Sequence, residues 1–160
     1  MGLQEELGLP VPFDNLAHEA LLNVVLTGTL LAKEGNRLLR PLGVTEAQFN
    51  VLMLLKYQSG GDGINQTSLG NMLLVNRSNV TGLIDRLEQV GWVKRTADPS
   101  DRRVKQVRLT SNGRRVLERA EKAYVARVEE IMGALSSDEH AQLCAMLERV
   151  RSALPRGAKT

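Results

Sequence analysis

Asn76, Arg77, Ser78 and Asn79 stand in a row, followed by Thr81 and Arg86. Amides, hydroxyls and guanidinium groups set this close together can read the edges of bases. Arg pairs in bidentate fashion with guanine and Asn with adenine in a major groove, and both also bond phosphate. Further along, Asp101-Arg102-Arg103 places two guanidinium groups next to a carboxylate. Cations on a protruding turn suit a nucleic-acid backbone or minor groove. Gln66, Thr67 and Ser68, upstream, add donors that could lie along phosphates.

Catalytic chemistry is not written in the same way. His18 and His140 have no Cys, His or carboxylate neighbours at metal-ligand spacing, and they read as surface or interface residues. Gly60-Gly61-Asp62-Gly63 lacks the lysine and the strand-to-helix setting of a phosphate loop, so it reads as a turn. The expectation is a protein that is not an enzyme and needs no metal or cofactor.

The elements that must position the polar cluster follow from periodicity. Val80, Leu83, Ile84, Leu87 and Val90 recur at helical spacing and form one apolar stripe, with Arg77, Ser78, Thr81, Asp85 and Arg86 opposite. Asn76 suits the N-cap and Gly91 the left-handed residue after the last turn. Taken alone, the polar face is equally a solvated helix surface. Two short strands follow, Val93 to Ala97 and Lys105 to Leu109, joined by the turn-forming residues Asp98-Pro99-Ser100-Asp101. Lys94, Arg95, Arg102, Arg103, Lys105 and Arg108 make this hairpin basic. Lys94 and Arg95 read equally as solvated charges or as contacts, and Asp85 as a salt-bridge partner for a neighbouring arginine or a plain surface acid.

The run DRLEQVGWVKR followed by DPSDRRVKQVRLTSNG resembles the winged-helix regulators of the MarR (multiple-antibiotic-resistance regulator) family. The family's wing pattern, an acidic residue, any residue, an arginine and then a strand ending in Leu-Thr, is matched by Asp101-Arg102-Arg103 through Leu109-Thr110. Similarity extends from about Phe13 to Leu154. Trp92 departs from it, since the family usually has a smaller aliphatic residue there. The resemblance implies that Arg103 enters a minor groove, that Asp101 holds it in shape and that Arg102 reaches phosphate or groove. It also implies double-stranded DNA as partner, a homodimer, and the small aromatic effector to which many relatives respond. Some relatives respond instead to thiol oxidation, but Cys144 lies far from their N-terminal sensing position and reads as an inert packed thiol.

Composition agrees. The chain has 160 residues, 42% hydrophobic and 3% aromatic, with a net charge of +3. Residues 65–110 carry eight Lys or Arg against four Asp or Glu, so the excess positive charge sits there and the rest sums to −1. Localised positive charge favours a polyanion and predicts salt-sensitive binding. One cysteine, no signal-peptide pattern and no span long enough for a bilayer lead to the expectation of a cytoplasmic protein with no membrane partner.

In chain order, residues 1–12 read as a loose arm or a segment on a partner subunit, and a long helix runs from an Asp14 cap to about Arg40. Its middle is apolar nearly all round (Leu21, Leu22, Val24, Val25, Leu26, Leu30, Leu31), which calls for cover from a second subunit. Val44 to Tyr57 reads as a helix opened by a Thr45–Gln48 capping box and burying Phe49, Leu52, Met53 and Leu55. Ile64 could add a third strand. A helix from Asn65 or Gln66 to Leu74 precedes the polar one by two or three residues, as a helix-turn-helix requires. Thr110 caps a helix to about Leu135, and Ser136–Glu139 opens a last one whose apolar face is Leu143, Met146, Leu147, Val150 and Leu154. A pocket for an effector would lie among the first two long helices and the one after Ser111.

The fold class expected is mainly α (α+β), a winged helix-turn-helix with flanking N- and C-terminal dimerisation helices. Residues 1–43 would form the arm and first dimerisation helix, 44–110 the DNA-binding region and 111–160 the C-terminal dimerisation helices of one integrated domain. The function expected is a sequence-specific regulator, a homodimeric repressor on a pseudo-palindromic operator. The alternative is a helical protein–protein module whose basic hairpin docks on an acidic partner.

Overall fold

The computed structural model describes residues 2–61, 63–73, 80–98 and 104–155. The chain falls into two compact units, residues 1–122 and 123–160. In the first, α1 (Leu3–Glu6) and α2 (Leu16–Leu39) precede a 3-10 turn (Arg40–Leu42), α3 (Glu46–Tyr57), β1 (Ile64–Asn65), α4 (Gln66–Met72), α5 (Val80–Gln89), β2 (Val93–Ala97) and β3 (Lys105–Leu109). The helix α6 (Ser111–Met132) runs from this unit into the second, which also contains α7 (Ser137–Ala153).

Capping sets most boundaries. Asn15, rather than Asp14, starts α2, its Oδ1 accepting from the Ala17 and His18 amides. Both side chains could cap, and the extended backbone at Asn15 decides between them. Thr45 and Gln48 form the expected capping box of α3, and Ser136 and Glu139 that of α7. The helix α4 stops at Met72, short of Leu74, because Leu73 turns extended to bury its side chain. The helix α6 ends at Met132, not near Leu135. Gly133 is a poor helix former, and the Ser136 cap needs an extended backbone just beyond it.

The three strands form an antiparallel sheet in the order β1-β3-β2. Register pairs Val93 with Leu109, Arg95 with Val107, and Ile64 with Val107, so these residues share the inner face. Lys94 opposite Arg108 and Thr96 opposite Gln106 share the outer one. The core gathers Leu39, Phe49, Val51, Leu52, Leu55, Leu69, Ile84, Leu87, Val93, Val107 and Leu117, with Trp92 partly buried against it. Burying each large aliphatic side chain contributes about 1.5–3 kcal/mol. Val51 is fully buried while Met53 is only partly so, because α3 is contacted by α2, α4, α5 and β3 and is covered on more than one side. Residues 3–6 form a short helix with Leu3 buried, within the stretch expected as a loose arm or a segment on a partner subunit.

The outer helices keep apolar surface in the single chain. On α2, Leu21, Val24, Val25, Leu30 and Leu31 are exposed and only Leu39 is buried. On α7 no residue is buried, Met146 and Val150 are exposed, and so is Leu154 just after it. Cys144 is exposed too, so it is not the packed thiol expected: α7 buries nothing within one chain.

Candidate nucleic-acid interface

The helix α5 is one-sided. Val80, Leu83, Ile84 and Leu87 are buried, while Thr81, Asp85 and Arg86 face outward. Val90 does not complete the stripe. It is 48% exposed, because ten residues of helix rotate it about 80° off the line through Val80. Gly91, at φ 72, then turns the chain into β2, with Trp92 N donating to Leu87 O at 2.9 Å. Asn76, Arg77, Ser78 and Asn79, expected to open this helix, lie outside the described residues, as do Asp101, Arg102 and Arg103 at the wing tip and the link between α4 and α5.

Gln66, Thr67 and Ser68 form the first turn of α4. Asn65 caps it, its Oδ1 accepting from the Ser68 amide at 2.8 Å. Thr67 is exposed, and Gln66 and Ser68 are half-buried. Gln66 Nε2 donates to Thr81 Oγ1 at 2.8 Å, so the first turns of α4 and α5 are joined across a depression of about 240 Å³ lined by Thr67, Gly70, Asn71 and Val80.

Arg95 ties this pair to the wing. From the inner face of β2 its guanidinium reaches Asp85 Oδ1 at 2.5 Å and Glu88 Oε2 at 2.5 Å, and donates to Gln66 Oε1 at 3.3 Å. The Arg95 amide also donates to Glu88 Oε1 at 2.8 Å. That backbone hydrogen bond, aided by the guanidinium and opposed by burial, holds the Glu88 carboxyl below its ordinary value. Burial lowers the Arg95 guanidinium pKa, but the two carboxylates outweigh it and raise the pKa above its usual value. Arg95 is therefore neither a solvated charge nor a free contact: it braces α4, α5 and β2 together. Asp85 is the salt-bridge partner foreseen in the sequence, and its arginine is Arg95.

The base of the wing is locked to α6. Thr110 N donates to Trp92 O at 3.0 Å and its hydroxyl to Gly91 O at 2.6 Å, while the same hydroxyl accepts from the Gly113 amide at 3.0 Å. A Cβ at Gly113 would lie 2.0 Å from Trp92 O, so only glycine permits this approach. Eight residues on, Glu121 accepts from both Lys56 Nζ and Tyr57 Oη, joining α6 to α3. Burial raises the Glu121 carboxyl, but these two donors outweigh it and the net shift is downward.

The arrangement, an outward polar helix braced to a hairpin whose strands are basic, is that of a winged helix. The profile of the MarR family matches residues 44–105. The multiple antibiotic resistance protein MarR of Escherichia coli is 33% identical over 116 residues, 72% of this chain and 78% of that protein. The chain belongs to the MarR family. Members of the MarR family are winged-helix, DNA-binding transcription regulators and not enzymes. Across eight of the curated relatives it matches, the chain spans 58% to 78% of their lengths. Among solved MarR-type structures, Sco3205 of Streptomyces coelicolor in complex with DNA superposes with a TM-score of 0.78 at 26% identity, covering 92% of this chain and 94% of that one. CouR of Rhodococcus jostii RHA1, bound to p-coumaroyl-CoA, gives 0.76 at 26% identity, covering 89% and 98%. Among the described residues no group of three or more His, Cys, Asp or Glu could hold a metal, and no helix is long and apolar enough to cross a membrane.

Proposed function

We propose that this MarR-family chain is a homodimeric transcriptional repressor that binds a pseudo-palindromic duplex operator and is released by a small aromatic ligand. One observation carries the reading. The helix α5 is anchored by four buried apolar side chains and braced to the wing by Arg95, yet its outward face is wholly polar. A rigidly held polar helix beside a basic hairpin fits a major groove with the wing over the backbone. The base readers are Asn76, Arg77, Ser78, Asn79 and Thr81, with Arg86 on phosphate. Thr67 and Ser68 lie along the backbone at the first turn of α4, where Gln66 also orients Thr81. Arg103 enters the minor groove, held by Asp101, and Arg102 reaches phosphate.

Exposed apolar area supports the dimer. Exposed Leu21, Val25 and Leu31 on α2, and Met146 and Val150 on α7, form faces that a monomer would leave in water. A second copy related by a two-fold axis covers them and presents two recognition helices about 34–36 Å apart. Residues 44–110 thus read DNA, while 1–43 and 111–160 hold the dimer. CouR with p-coumaroyl-CoA supports an aromatic effector. A duplex target and a free thiol suit the cytoplasm.

The test is an anisotropy titration of the full chain on a pseudo-palindromic duplex, chosen from a random pool, and on its scrambled counterpart at two salt concentrations. Tighter binding to the selected duplex and a steep loss with salt are expected. Equal affinity for both duplexes at every salt overturns the reading.

A further inference from the structure

The outer face of the wing sheet holds three like charges together. Lys94 and Arg108 are direct cross-strand partners, a pairing of like charges that destabilises a sheet. Arg114 joins them from the first turn of α6, the end of a helix where the dipole disfavours a cation. None of the three makes an ion pair with a described residue. Asp98, just past the end of β2, accepts from Gln106 Nε2 at 2.6 Å. Arg108 Nε is also buried without a hydrogen-bond partner among the described residues, a further cost at the same place.

These cations line a depression of about 190 Å³ whose far wall is the turn of Ser59, Gly61 and Gly63. The turn is pressed tightly against β3, since a Cβ at Gly63 would fall 2.7 Å from Arg108 Cγ and 2.8 Å from Val107 O. Drug-sized ligands occupy pockets from roughly 300 Å³ upward, so the space suits a small group rather than a whole aromatic compound. One oxyanion would relieve the cross-strand repulsion and the unfavourable dipole at once.

We propose that Lys94, Arg108 and Arg114 form a binding site for a phosphate-type oxyanion on the outer face of the wing. Two sources share that chemistry, a free inorganic oxyanion and a backbone phosphate of duplex DNA. The site is distinct from the Arg95 brace, which occupies the opposite face of the sheet.

The experiment follows thermal unfolding of the full chain in sodium phosphate and in sodium chloride at matched ionic strength, with Lys94→Gln, Arg114→Gln, their double variant and Lys122→Gln as the charge control. A free oxyanion is supported if phosphate raises the melting temperature saturably at millimolar concentration in the wild type and Lys122→Gln, with the gain at least halved in each single variant and abolished in the double. A duplex phosphate is supported if Arg114→Gln lowers the logarithmic salt slope of duplex binding by about one relative to Lys122→Gln. Phosphate also raises stability generically by exclusion from protein surfaces. A rise shared equally by wild type and double variant, together with an unchanged salt slope, overturns the proposal.

Discussion

Replacing Arg95 by methionine keeps most of the aliphatic stem and removes the guanidinium, so it isolates the brace from packing. The Arg95 side chain is 22% exposed, against 58% for Asp85 and 39% for Glu88. These are half-solvated pairs, and each contributes about 0.5–1 kcal/mol rather than the larger figure for a buried one. The Glu88 bond to the Arg95 amide survives the change. The expected loss is therefore about 1–2 kcal/mol, or roughly 2–8 °C in melting temperature for a chain of this size.

Urea unfolding at fixed protein concentration measures the loss, and cycles with Glu88→Gln and Asp85→Asn divide it, each coupling expected at about 0.5–1 kcal/mol. Operator binding distinguishes a brace from a contact. Loss of a brace weakens affinity at an unchanged salt slope, whereas loss of a phosphate contact lowers the slope by about one. Glu88 is depressed in the folded state, so its stabilisation is fully present above its ordinary value of 4.5 and is lost as pH falls through the lowered one. The amide bond, the largest cause of that depression, persists in Arg95→Met, so the gap between wild type and variant should narrow from pH 6 toward pH 3 only by the guanidinium's share. Couplings below about 0.3 kcal/mol in both cycles, or a lowered salt slope at unchanged stability, would refute the reasoning.

Gly113→Ala should destabilise by about 1–3 kcal/mol in thermal unfolding although alanine gains about 1 kcal/mol of helix propensity, because its Cβ meets Trp92 O. Glu121→Gln should flatten the acid limb of the stability curve below pH 4.5, where the wild type loses the interaction with Lys56 and Tyr57 as Glu121 protonates; a pH series of urea midpoints checks it. Arg77→Ala should cost roughly 1–3 kcal/mol on the selected duplex and relax its specificity, while Arg103→Ala mainly lowers the salt slope, both read by anisotropy. Val25→Glu should shift light scattering of the proposed dimer toward monomer, since it sets a charge on the exposed apolar face of α2.

What could be read in advance was whatever local chemistry decides. The two long wing strands end where alternation ends, and Ile64 pairs as a third strand because it is an isolated apolar residue just before a capping Asn. Thr45–Gln48 and Ser136–Glu139 declare themselves through spacing alone. Where two residues offered the same service the outcome was open, as with Asp14 and Asn15. Arg95 was illegible for a different reason. Its partners lie seven, ten and 29 residues earlier, and no periodicity links them; only the return of β2 against α5 and α4 brings them together. The outer-face cations were visible as charges, but only the register of β2 on β3 puts Lys94 beside Arg108.

The two attachments of α6 bear on the target as much as the recognition residues do. Thr110 and Gly113 fix the start of the helix to the wing, and Glu121 fixes it to α3 two turns later. Two attachments on one rigid helix remove both sliding and rotation of the winged helix relative to that part of α6. In the proposed dimer, the distance between the two α5 helices is then set by the path of α6 and not by the chemistry of α5. Sequence preference and half-site spacing should separate experimentally: substitutions among residues 76–81 would change which bases are preferred and leave the spacing alone, whereas Gly113→Ala would broaden the spacing tolerated. Selection from duplex pools with varied spacers reads both at once, and a spacing preference that follows the residue 76–81 substitutions would show that α6 does not set the distance.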